Sequence, residues 1–216
     1  MSTSDLEEPV VLAVPTPGLG NNSYLIGWGD AAVAVDAPRD GWRIAAIAEQ
    51  HGWRISHALE THVHNDYLSG ARELRRSQRT RIVAPAGGRY RFSHQPADEG
   101  LGIELGGGGL VARATPGHTP EHISWELQDG AGRPRALFSG GSLLIGGVGR
   151  TDLLGPSRVA ELTEAQYGSM RRLAELPDEV VVYPTHGAGS FCVAGDADGP
   201  GASTIGALKR WNPAFA

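Results

Sequence analysis

The sequence predicts a layered α/β fold, and three observations support this. Short apolar runs of strand length are bounded by turn residues, and stretches with helical spacing follow them in both halves of the chain. Glycines, 31 in all, fall between the apolar runs, which indicates turns rather than flexible linkers. Four histidines directly follow predicted strands, so residues distant in sequence would meet at one edge of the sheets. We expect one domain over residues 1–216, a length that supports a well-filled core.

The first half of the chain is predicted to hold five strands and two helices. The turn sequence PTPGLGNN separates the first two strands. Apolar residues at helical spacing over 41–51 are followed by Gly52, a residue typical of the position just after a helix. Residues 67–78 carry a second apolar stripe, and residues 85–100 are polar and irregular, so a helix and then a loop are predicted. The predicted strands cover 10–14, 23–26, 31–35, 55–59 and 82–84.

The second half is predicted to return to strands before it closes with helices. Pro177 ends a long helical stretch over 158–176, because proline cannot continue a helix. A short helix is predicted over 204–210. The predicted strands cover 101–105, 110–115, 122–127, 136–138 and 180–183.

The composition argues against several classes of function. The formal net charge is −5, and such a surface repels phosphates, so no nucleic-acid partner is expected. No apolar run approaches the roughly 18 residues of a membrane span, so no membrane partner is expected either. The stretch MSTSDLEEPVV lacks the basic and apolar regions of a signal peptide. The one cysteine, Cys192, allows no intrachain disulfide, and together these features predict a cytoplasmic protein.

A metal site is predicted from histidines at the ends of strands. Side chains at i and i+2 of an extended segment point the same way, so His62 and His64 of THVHNDY can face one ion. His118, in TPGHT, would add a third nitrogen and leave an open fourth position, as in catalytic zinc sites. Asp66 continues the same parity, and His186, in YPTHG, offers a further ligand.

Several of these residues have a simpler interpretation. An HxH pair arises by chance in many sequences, and the later strand-end histidines are what favour a metal site. The thiol of Cys192 is expected to be buried and inert, with a role beside a sulfur-handling site as the alternative. Asp36 and Arg150 are expected to organise turns; alternatively, Asp36 supports a ligand and Arg150 meets a substrate carboxylate. Of the other histidines, only His122 is a candidate for supporting a ligand, whereas core or solvated positions are expected for His51, His57 and His94.

In its motifs the chain resembles the metallo-β-lactamase superfamily: THVHND, TPGHT, SGGSLLIGGVGRTDL and YPTHG occur in this order. Within the superfamily it looks like the persulfide dioxygenase and glyoxalase II-like branch, including its rhodanese-associated type. The resemblance runs from about Val10 to the end of the chain, where STIGALKRWNPAF also matches. It implies an α/β fold of four layers, the αβ/βα metallo-β-lactamase sandwich, with metal at the edge of the two sheets.

Two positions depart from the pattern of that family. The family motif HxHxDH is matched through Asp66, but Tyr67 stands in place of the last histidine. Gly141 stands where the family has an aspartate that bridges or caps two metals. Two divalent cations roughly 3.5–4 Å apart need carboxylate to offset their repulsion.

These departures favour a single divalent ion, zinc or iron(II). We expect His62, His64 and His118 to hold this ion. Imidazole suits both metals, so the ligand type does not decide between them. His186 is then a fourth ligand or a substrate contact, and Asp66 and Tyr67 are free to act on substrate or water.

Three functions are compatible with this site. The first is hydrolysis of a small ester or thioester through a metal-bound water, with Asp66 as proton acceptor and Tyr67 as hydrogen-bond donor to the oxyanion. The second is a mononuclear iron oxygenase of a glutathione-like persulfide. The third is a binding or sulfur-relay protein with reduced catalysis, which the residues at positions 67 and 141 would explain. The expected partner is a small molecule, a thioester or a persulfide; the resemblance adds a rhodanese partner, and a homodimer stays open.

Overall fold

The computed structural model describes residues 8–187, 190–192 and 202–216, and the N-terminal half of the chain forms a first sheet of six strands. The first three strands pair antiparallel, and the third to the sixth run parallel. In spatial order they are β1 (Val10–Thr16), β2 (Asn21–Trp28), β3 (Ala31–Val35), β4 (Arg54–Leu59), β5 (Arg81–Pro85) and β6 (Gln95–Ala97).

The second half forms another six-stranded sheet. Neighbouring strands of this sheet pair antiparallel, except that the fourth and fifth strands in spatial order are parallel. In spatial order they are β7 (Gly102–Leu105), β8 (Gly108–Ala114), β9 (Ile123–Gln128), β10 (Pro134–Gly140), β11 (Val181–Pro184) and β12 (Ser203–Thr204).

Apolar side chains bind these sheets and four helices into layers. One buried cluster, which includes Trp125 and Phe138, fills the space between the sheets. A second joins the first sheet to helices α1 (Trp42–Gln50) and α2 (Ala71–Gln78), and a third joins the second sheet to α3 (Val159–Leu173) and α4 (Ile205–Trp211). The order helix, sheet, sheet, helix confirms the predicted four-layered sandwich. None of the described helices is long and apolar enough to cross a membrane.

Two predicted elements differ from the structure. The helix predicted to begin at residue 67 begins only at Ala71, whose amide donates to the hydroxyl of Ser69. The loop predicted over 85–100 contains β6, a strand of three residues. Its Pro96 argues against a strand in the sequence, but proline is tolerated at a sheet edge, and β6 is the last strand of its sheet.

The parallel strand pairs determine where the functional side chains meet. Because parallel strands end on the same side of a sheet, the residues after β3, β4 and β5 converge at one edge. The residues after β10 and β11 converge in the same way in the second sheet. A backbone bridge between Asn21 and His186 joins the edges of the two sheets at this point.

Candidate metal centre

Four histidine rings meet at the joined edge of the two sheets. The ring centroids of His62, His118 and His186 lie 5.0 to 5.3 Å from one another, and each residue is only 1% exposed. His64 lies beside them, with its ring 4.2 Å from His62 and 6.2 Å from His186. All four predicted metal ligands are therefore brought together.

The outer nitrogen of each ring is hydrogen-bonded to the protein. The hydroxyl of Thr61 donates to Asp36 and therefore accepts from His62, so the proton of His62 lies on Nδ1, 2.8 Å from Thr61 Oγ1. Nδ1 of His118 donates to the carbonyl of Arg150 at 2.8 Å. Both rings thus present Nε2 to the cluster as a bare lone pair.

The other two rings are held in the same manner. The amide group of Asn21 donates to Asp66, so its oxygen is the acceptor for Nδ1 of His186 at 3.1 Å. Nε2 of His64 lies 3.1 Å from a carboxylate oxygen of Asp36, and Nδ1 of the same ring is buried without a hydrogen-bond partner among the described residues. Histidines that bind metals almost always donate their second ring N–H to a carboxylate, a carbonyl or a comparable acceptor.

The inner nitrogens have no adequate partner. Within the described part of the chain, Nδ1 of His64, Nε2 of His118 and Oδ1 of Asp66 are buried without any hydrogen bond. Nε2 of His62 and Nε2 of His186 face each other at 3.2 Å, although both carry lone pairs. A buried polar atom without a partner costs about 1–3 kcal/mol, so this arrangement is costly unless a cation joins the donors. The donor set fits a divalent metal ion.

The potential ligand atoms fall into three groups in which every atom lies within 4.8 Å of the others. These groups are His62 with His118 and His186; Asp36 with His62 and His64; and His64 with Asp66 and His186. His186 therefore shares a group with His62 and His118, whereas His64 is grouped with Asp36 and with Asp66. The ligand set proposed from the sequence, with His64 in the first group, stays a prediction.

Burial controls the charge of these rings. It lowers the pKa of His118 to about 4 and that of His186 to about 3, and it places the pKa of His62 well below its ordinary value. These three rings are therefore uncharged near neutral pH, the state in which imidazole binds metals. Burial opposes charge on His64 as well, but the carboxylates that face its Nε2, above all Asp36, outweigh it and raise the pKa of His64 to about 10.

The same fold and motifs occur in known proteins. The profile of the metallo-β-lactamase superfamily matches residues 16–186, which include all four histidines. The chain belongs to the metallo-β-lactamase superfamily.

Relatives within the superfamily support the branch indicated by the motifs. A hydroxyacylglutathione hydrolase of Rhodopseudomonas palustris (strain BisB5) is 37% identical over 163 residues, which cover 72% of this chain and 57% of that protein. A hydroxyacylglutathione hydrolase of Photobacterium profundum is 31% identical, over 78% of this chain and 63% of that protein. The chain thus spans little more than half of the length of such relatives.

Solved structures agree with this assignment. A metallo-β-lactamase from Staphylococcus aureus subsp. aureus COL superimposes with a TM-score of 0.88 at 32% identity, over 96% of this chain and 64% of that one. ETHE1 from Myxococcus xanthus superimposes with a TM-score of 0.79 at 28% identity, over 94% and 83%. The glyoxalase II-like and ETHE1-like parts of the superfamily are both represented.

Gly141, where the motif comparison expects an aspartate, lies beside the rings of the cluster. A Cβ atom on Gly141 would lie 2.3 Å from Cδ2 of His118 and 2.9 Å from Cδ2 of His186, so a side chain here would point into the cluster. The amide of Gly141 donates to Nε2 of His122 at 2.9 Å, and Nδ1 of His122 bonds to Thr115. His122 thus supports the Gly141 backbone, and a role in supporting a metal ligand stays a prediction.

Tyr67 packs against the ring of His64 and places its hydroxyl at Nε2 of that ring. Its hydroxyl donates to the carbonyl of Asp36 at 3.2 Å and lies 3.1 Å from Nε2 of His64, and the two side-chain rings are 4.4 Å apart. Burial raises the pKa of the Tyr67 phenol well above its ordinary value, so the group stays protonated. This placement favours a role in holding His64, and the role at an oxyanion stays a prediction.

Three supporting residues were not identified from the sequence. Asn21 bridges His186 and Asp66, and its signal was only its place at the end of a turn sequence. Glu60 and Thr61 are fully buried and extend the network, with Thr61 binding Asp36 through both its amide and its hydroxyl. The two alternatives predicted for Asp36 are compatible, because its carboxylate contacts His64 while its backbone has a φ of 49°, the left-handed conformation of a tight turn.

The remaining predictions concern Cys192, Arg150 and three histidines. Cys192 is buried, and burial raises the pKa of its thiol to about 12, as expected for an inert group. Arg150 pairs with Asp152 through two nitrogens at 2.9 Å, which agrees with its predicted role in the loop. His51 is exposed, and His57 and His94 are half-buried.

Proposed function

We propose that this protein is a metal-dependent hydrolase of a small thioester. The observation that carries the proposal is a set of buried ring and carboxylate atoms at the centre of the site that have no hydrogen-bond partner among the described residues. The opposite nitrogen of the His118 ring is already hydrogen-bonded, and the Nε2 atoms of His62 and His186 face only each other. Similarity to hydroxyacylglutathione hydrolases supports a thioester as the substrate class. When bound, a divalent ion supplies polarisation of the carbonyl and a water of lowered pKa.

One ion is proposed, with His62, His118 and His186 as its first ligands. These three side chains share one group of potential ligand atoms. Nδ1 of His64 is the fourth candidate, and its binding would require His64 to lose the proton that Asp36 stabilises on the ring. Gly141 contributes no carboxylate, so a second divalent ion would lack the charge that offsets repulsion. The metal is zinc or iron(II), since imidazole serves both.

Asp66 is the proposed proton acceptor. One of its carboxylate oxygens is fixed by Asn21 and lies 3.6 Å from Nδ1 of His186, while the other is buried without a partner among the described residues. An oriented carboxylate with one free oxygen can take a proton from the attacking water and pass it to the leaving thiolate, which departs as the thiol. Tyr67 is proposed to keep His64 in place rather than to touch the substrate.

The test combines metal content with thioester hydrolysis. The protein loaded with one equivalent of zinc is expected to hydrolyse an S-(2-hydroxyacyl)glutathione, to lose this activity with a chelator and to regain it with zinc. Asp66→Asn is expected to lower kcat by roughly 10²–10⁴-fold, the usual contribution of a general base. Asp30→Asn, at an exposed turn, is the matched control and keeps full activity. Hydrolysis that survives chelation or Asp66→Asn would contradict the proposal.

A mononuclear iron oxygenase of a persulfide is the second candidate. The likeness to ETHE1 favours it, and a neighbour crystallised in a di-iron-bound form, with a TM-score of 0.70 at 26% identity, supports iron as the metal but not the number of ions. Oxygen uptake by the iron-loaded protein with glutathione persulfide, without thioester hydrolysis, would select this candidate. Metal well below one equivalent and neither activity would select a binding or sulfur-relay role instead.

A further inference from the structure

A cavity of about 970 Å³ is separate from the metal centre. Its lining comes mainly from the segment after β4, from α2 and from the loop that precedes β6. Of the candidate metal ligands only His64 lines it, whereas His62, His118 and His186 do not, and neither does Asp66. The volume is in the range of sites that enclose an organic ligand, roughly 300–1,000 Å³. The cavity is therefore a candidate site for a second ligand, other than the substrate at the metal.

Five exposed arginines lie around this cavity. In the described part of the chain, none of them has an ion pair or a hydrogen bond from its guanidinium group. Arg75, also on α2, differs because it donates to the carbonyl of Ser93 at 2.6 Å and ties the helix to the loop. The five lining residues are Arg39, Arg72, Arg76, Arg89 and Arg91.

This concentration of positive charge contrasts with the protein as a whole, whose formal net charge is −5. Two acidic residues, Glu60 and Glu73, also line the cavity, so arginines outnumber carboxylates there. Arginines elsewhere are commonly paired, as Arg113 is with Glu126 at 2.9 Å. Several guanidinium groups without partners around one cavity suit a ligand that carries more than one anionic group.

Part of the cavity lining is aromatic and apolar. The rings of Tyr90 and Phe92 both line it, with centroids 5.3 Å apart, and Val63 and Leu68 add aliphatic surface. The Tyr90 ring is fixed against the backbone of Gly88, where an added Cβ atom would lie 2.3 Å from it. Aromatic side chains provide a surface on which a flat ring system stacks. The ligand that fits this lining therefore has a flat ring system as well as anionic groups.

Two buried oxygens of the lining residues point to a polar edge on that ring system. The hydroxyl of Tyr90 and Oε2 of Glu60 have no hydrogen-bond partner among the described residues. Oε2 of Glu60 lies 3.5 Å from Nε2 of His64, so the two groups attract each other without a hydrogen bond. Buried polar groups in proteins nearly always have a partner. A ring edge with an N–H donor for Glu60 and an acceptor for Tyr90 would supply both.

We propose that this cavity binds a nucleoside polyphosphate, at a site separate from the metal centre. The phosphates pair with the exposed arginines, whose planar forks match phosphate oxygens. The base stacks against Tyr90 and Phe92, and its edge, which carries both donors and acceptors, meets the unpartnered oxygens. This binding does not depend on the proposed thioester hydrolysis and would occur whether or not that reaction takes place.

Binding can be measured by calorimetry without turnover. The zinc-loaded protein is titrated with ATP, GTP, CTP and UTP, with inorganic triphosphate and with S-methylglutathione, in excess magnesium so that the phosphates do not remove the zinc. At least one nucleotide is expected to bind about tenfold or more tightly than inorganic triphosphate, because a stacked base adds to the charge interaction. S-methylglutathione is expected to bind more weakly than that nucleotide. Equal binding of triphosphate and all four nucleotides, tighter binding of S-methylglutathione, or no binding of any nucleotide would overturn the proposal.

The variant Arg72→Gln/Arg76→Gln/Arg89→Gln/Arg91→Gln tests whether the nucleotide lies in the cavity. It is expected to lose about tenfold or more of the nucleotide affinity, because the bidentate partners are gone. The control carries the same change at four exposed arginines outside the lining and keeps its affinity within about twofold. Wild-type affinity in the cavity variant, as expected if phosphate binds the zinc instead, or an equal loss in the control would contradict the proposal. The control positions are Arg54, Arg81, Arg171 and Arg210.

Tyr90→Phe tests the contact with the base. The variant keeps the ring and removes only the hydroxyl without a partner. It is expected to weaken nucleotide binding by about threefold to tenfold, the usual effect of one hydrogen bond, and to leave the affinity for inorganic triphosphate unchanged. Tyr167→Phe, on the exposed face of α3, is the control and keeps the wild-type affinity for both. An unchanged nucleotide affinity in Tyr90→Phe, or an equal loss for triphosphate, would refute the placement of the base.

Thioester hydrolysis by the arginine variant separates the nucleotide site from the metal centre. Because the cavity is not the substrate site, the variant is expected to keep its KM for an S-(2-hydroxyacyl)glutathione within about threefold of the wild type. A KM raised tenfold or more would assign the cavity to the thioester and overturn the proposal. If no thioester is hydrolysed but nucleotide binding is present and is lost in the arginine variant, the hydrolase proposal fails and the nucleotide site stands.

Discussion

The Nε2 atoms of His62 and His186 lie 3.2 Å apart, and the opposite nitrogen of each ring is already hydrogen-bonded. The two residues are 124 positions apart in the chain and follow strands of separate sheets, β4 and β11. Their geometry is set by Thr61 on one side and by Asn21 on the other. The residues that hold the outer nitrogens therefore determine where a shared ion can sit.

Asn21→Ala is expected to weaken metal binding by about 10–100-fold, the usual effect of losing a partner that orients a ligand. The change removes the acceptor for His186 Nδ1 and the donor to Asp66 in one step. Zinc affinity is measured by competition with a chromogenic chelator. Asn65→Ala, at an exposed position of the same site segment, serves as the control and keeps wild-type affinity. Unchanged affinity in Asn21→Ala would mean that His186 is held without it.

Gly141→Ala is expected to reduce both stability and metal affinity. A methyl group there would lie within 2.3 Å of the His118 ring and so displace a predicted ligand. Overpacking of a buried site typically costs about 1–3 kcal/mol, measurable by urea unfolding of the metal-free protein. Gly147→Ala is the matched control, because its Cβ would meet no atom within 4 Å. Equal stability of the two variants would show that His118 has room to move.

The sequence predicted the layers and the meeting of the histidines for a physical reason. Strand periodicity and turn residues are local signals, and the residues at the ends of parallel strands must converge. His62, His64, His118 and His186 follow strands, so their proximity could be expected.

The finer geometry depends on contacts that no local pattern encodes. Asn21 is 165 residues from His186 in sequence, and nothing in the turn PTPGLGNN shows which ring its amide will meet. The orientation of Tyr67 against His64 depends on the late start of α2 and on the carbonyl of Asp36. The grouping of His186 with His62 and His118 likewise depends on ring rotations fixed by distant partners.

Cys192 is expected to resist thiol reagents in the folded protein. Burial, reinforced by Asp66 and opposed by Arg150, raises the pKa of the Cys192 thiol to about 12. A raised thiol pKa keeps the unreactive protonated form dominant until the pH approaches that value, so at pH 8 only about one thiol in 10⁴ is a thiolate. Modification by a disulfide reagent should be slow at pH 8, should accelerate as the pH rises, and should be immediate in guanidinium chloride. Rapid reaction at pH 8 would instead favour a sulfur-relay role.

Tyr67→Phe distinguishes two roles of this side chain. The variant keeps the ring that packs on His64 and removes only the hydroxyl that bonds to Asp36 and His64. If Tyr67 positions His64, the loss is expected to be about 0.5–1.5 kcal/mol of stability, the net value of one hydrogen bond, with little change in kcat. If its hydroxyl stabilises an oxyanion, kcat should fall by about 10²–10³-fold.

The geometry favours the first outcome, because the hydroxyl lies at Nε2 of His64, whereas the atom of that ring without a hydrogen-bond partner among the described residues is Nδ1. Steady-state kinetics with the thioester and urea unfolding of the same preparations measure both quantities. Tyr167→Phe, on the exposed face of α3, is the control and should match the wild type in both. A large fall in kcat with unchanged stability and zinc content would place the Tyr67 hydroxyl in contact with the substrate during turnover. It would require the hydroxyl to leave the carbonyl of Asp36 when the thioester binds.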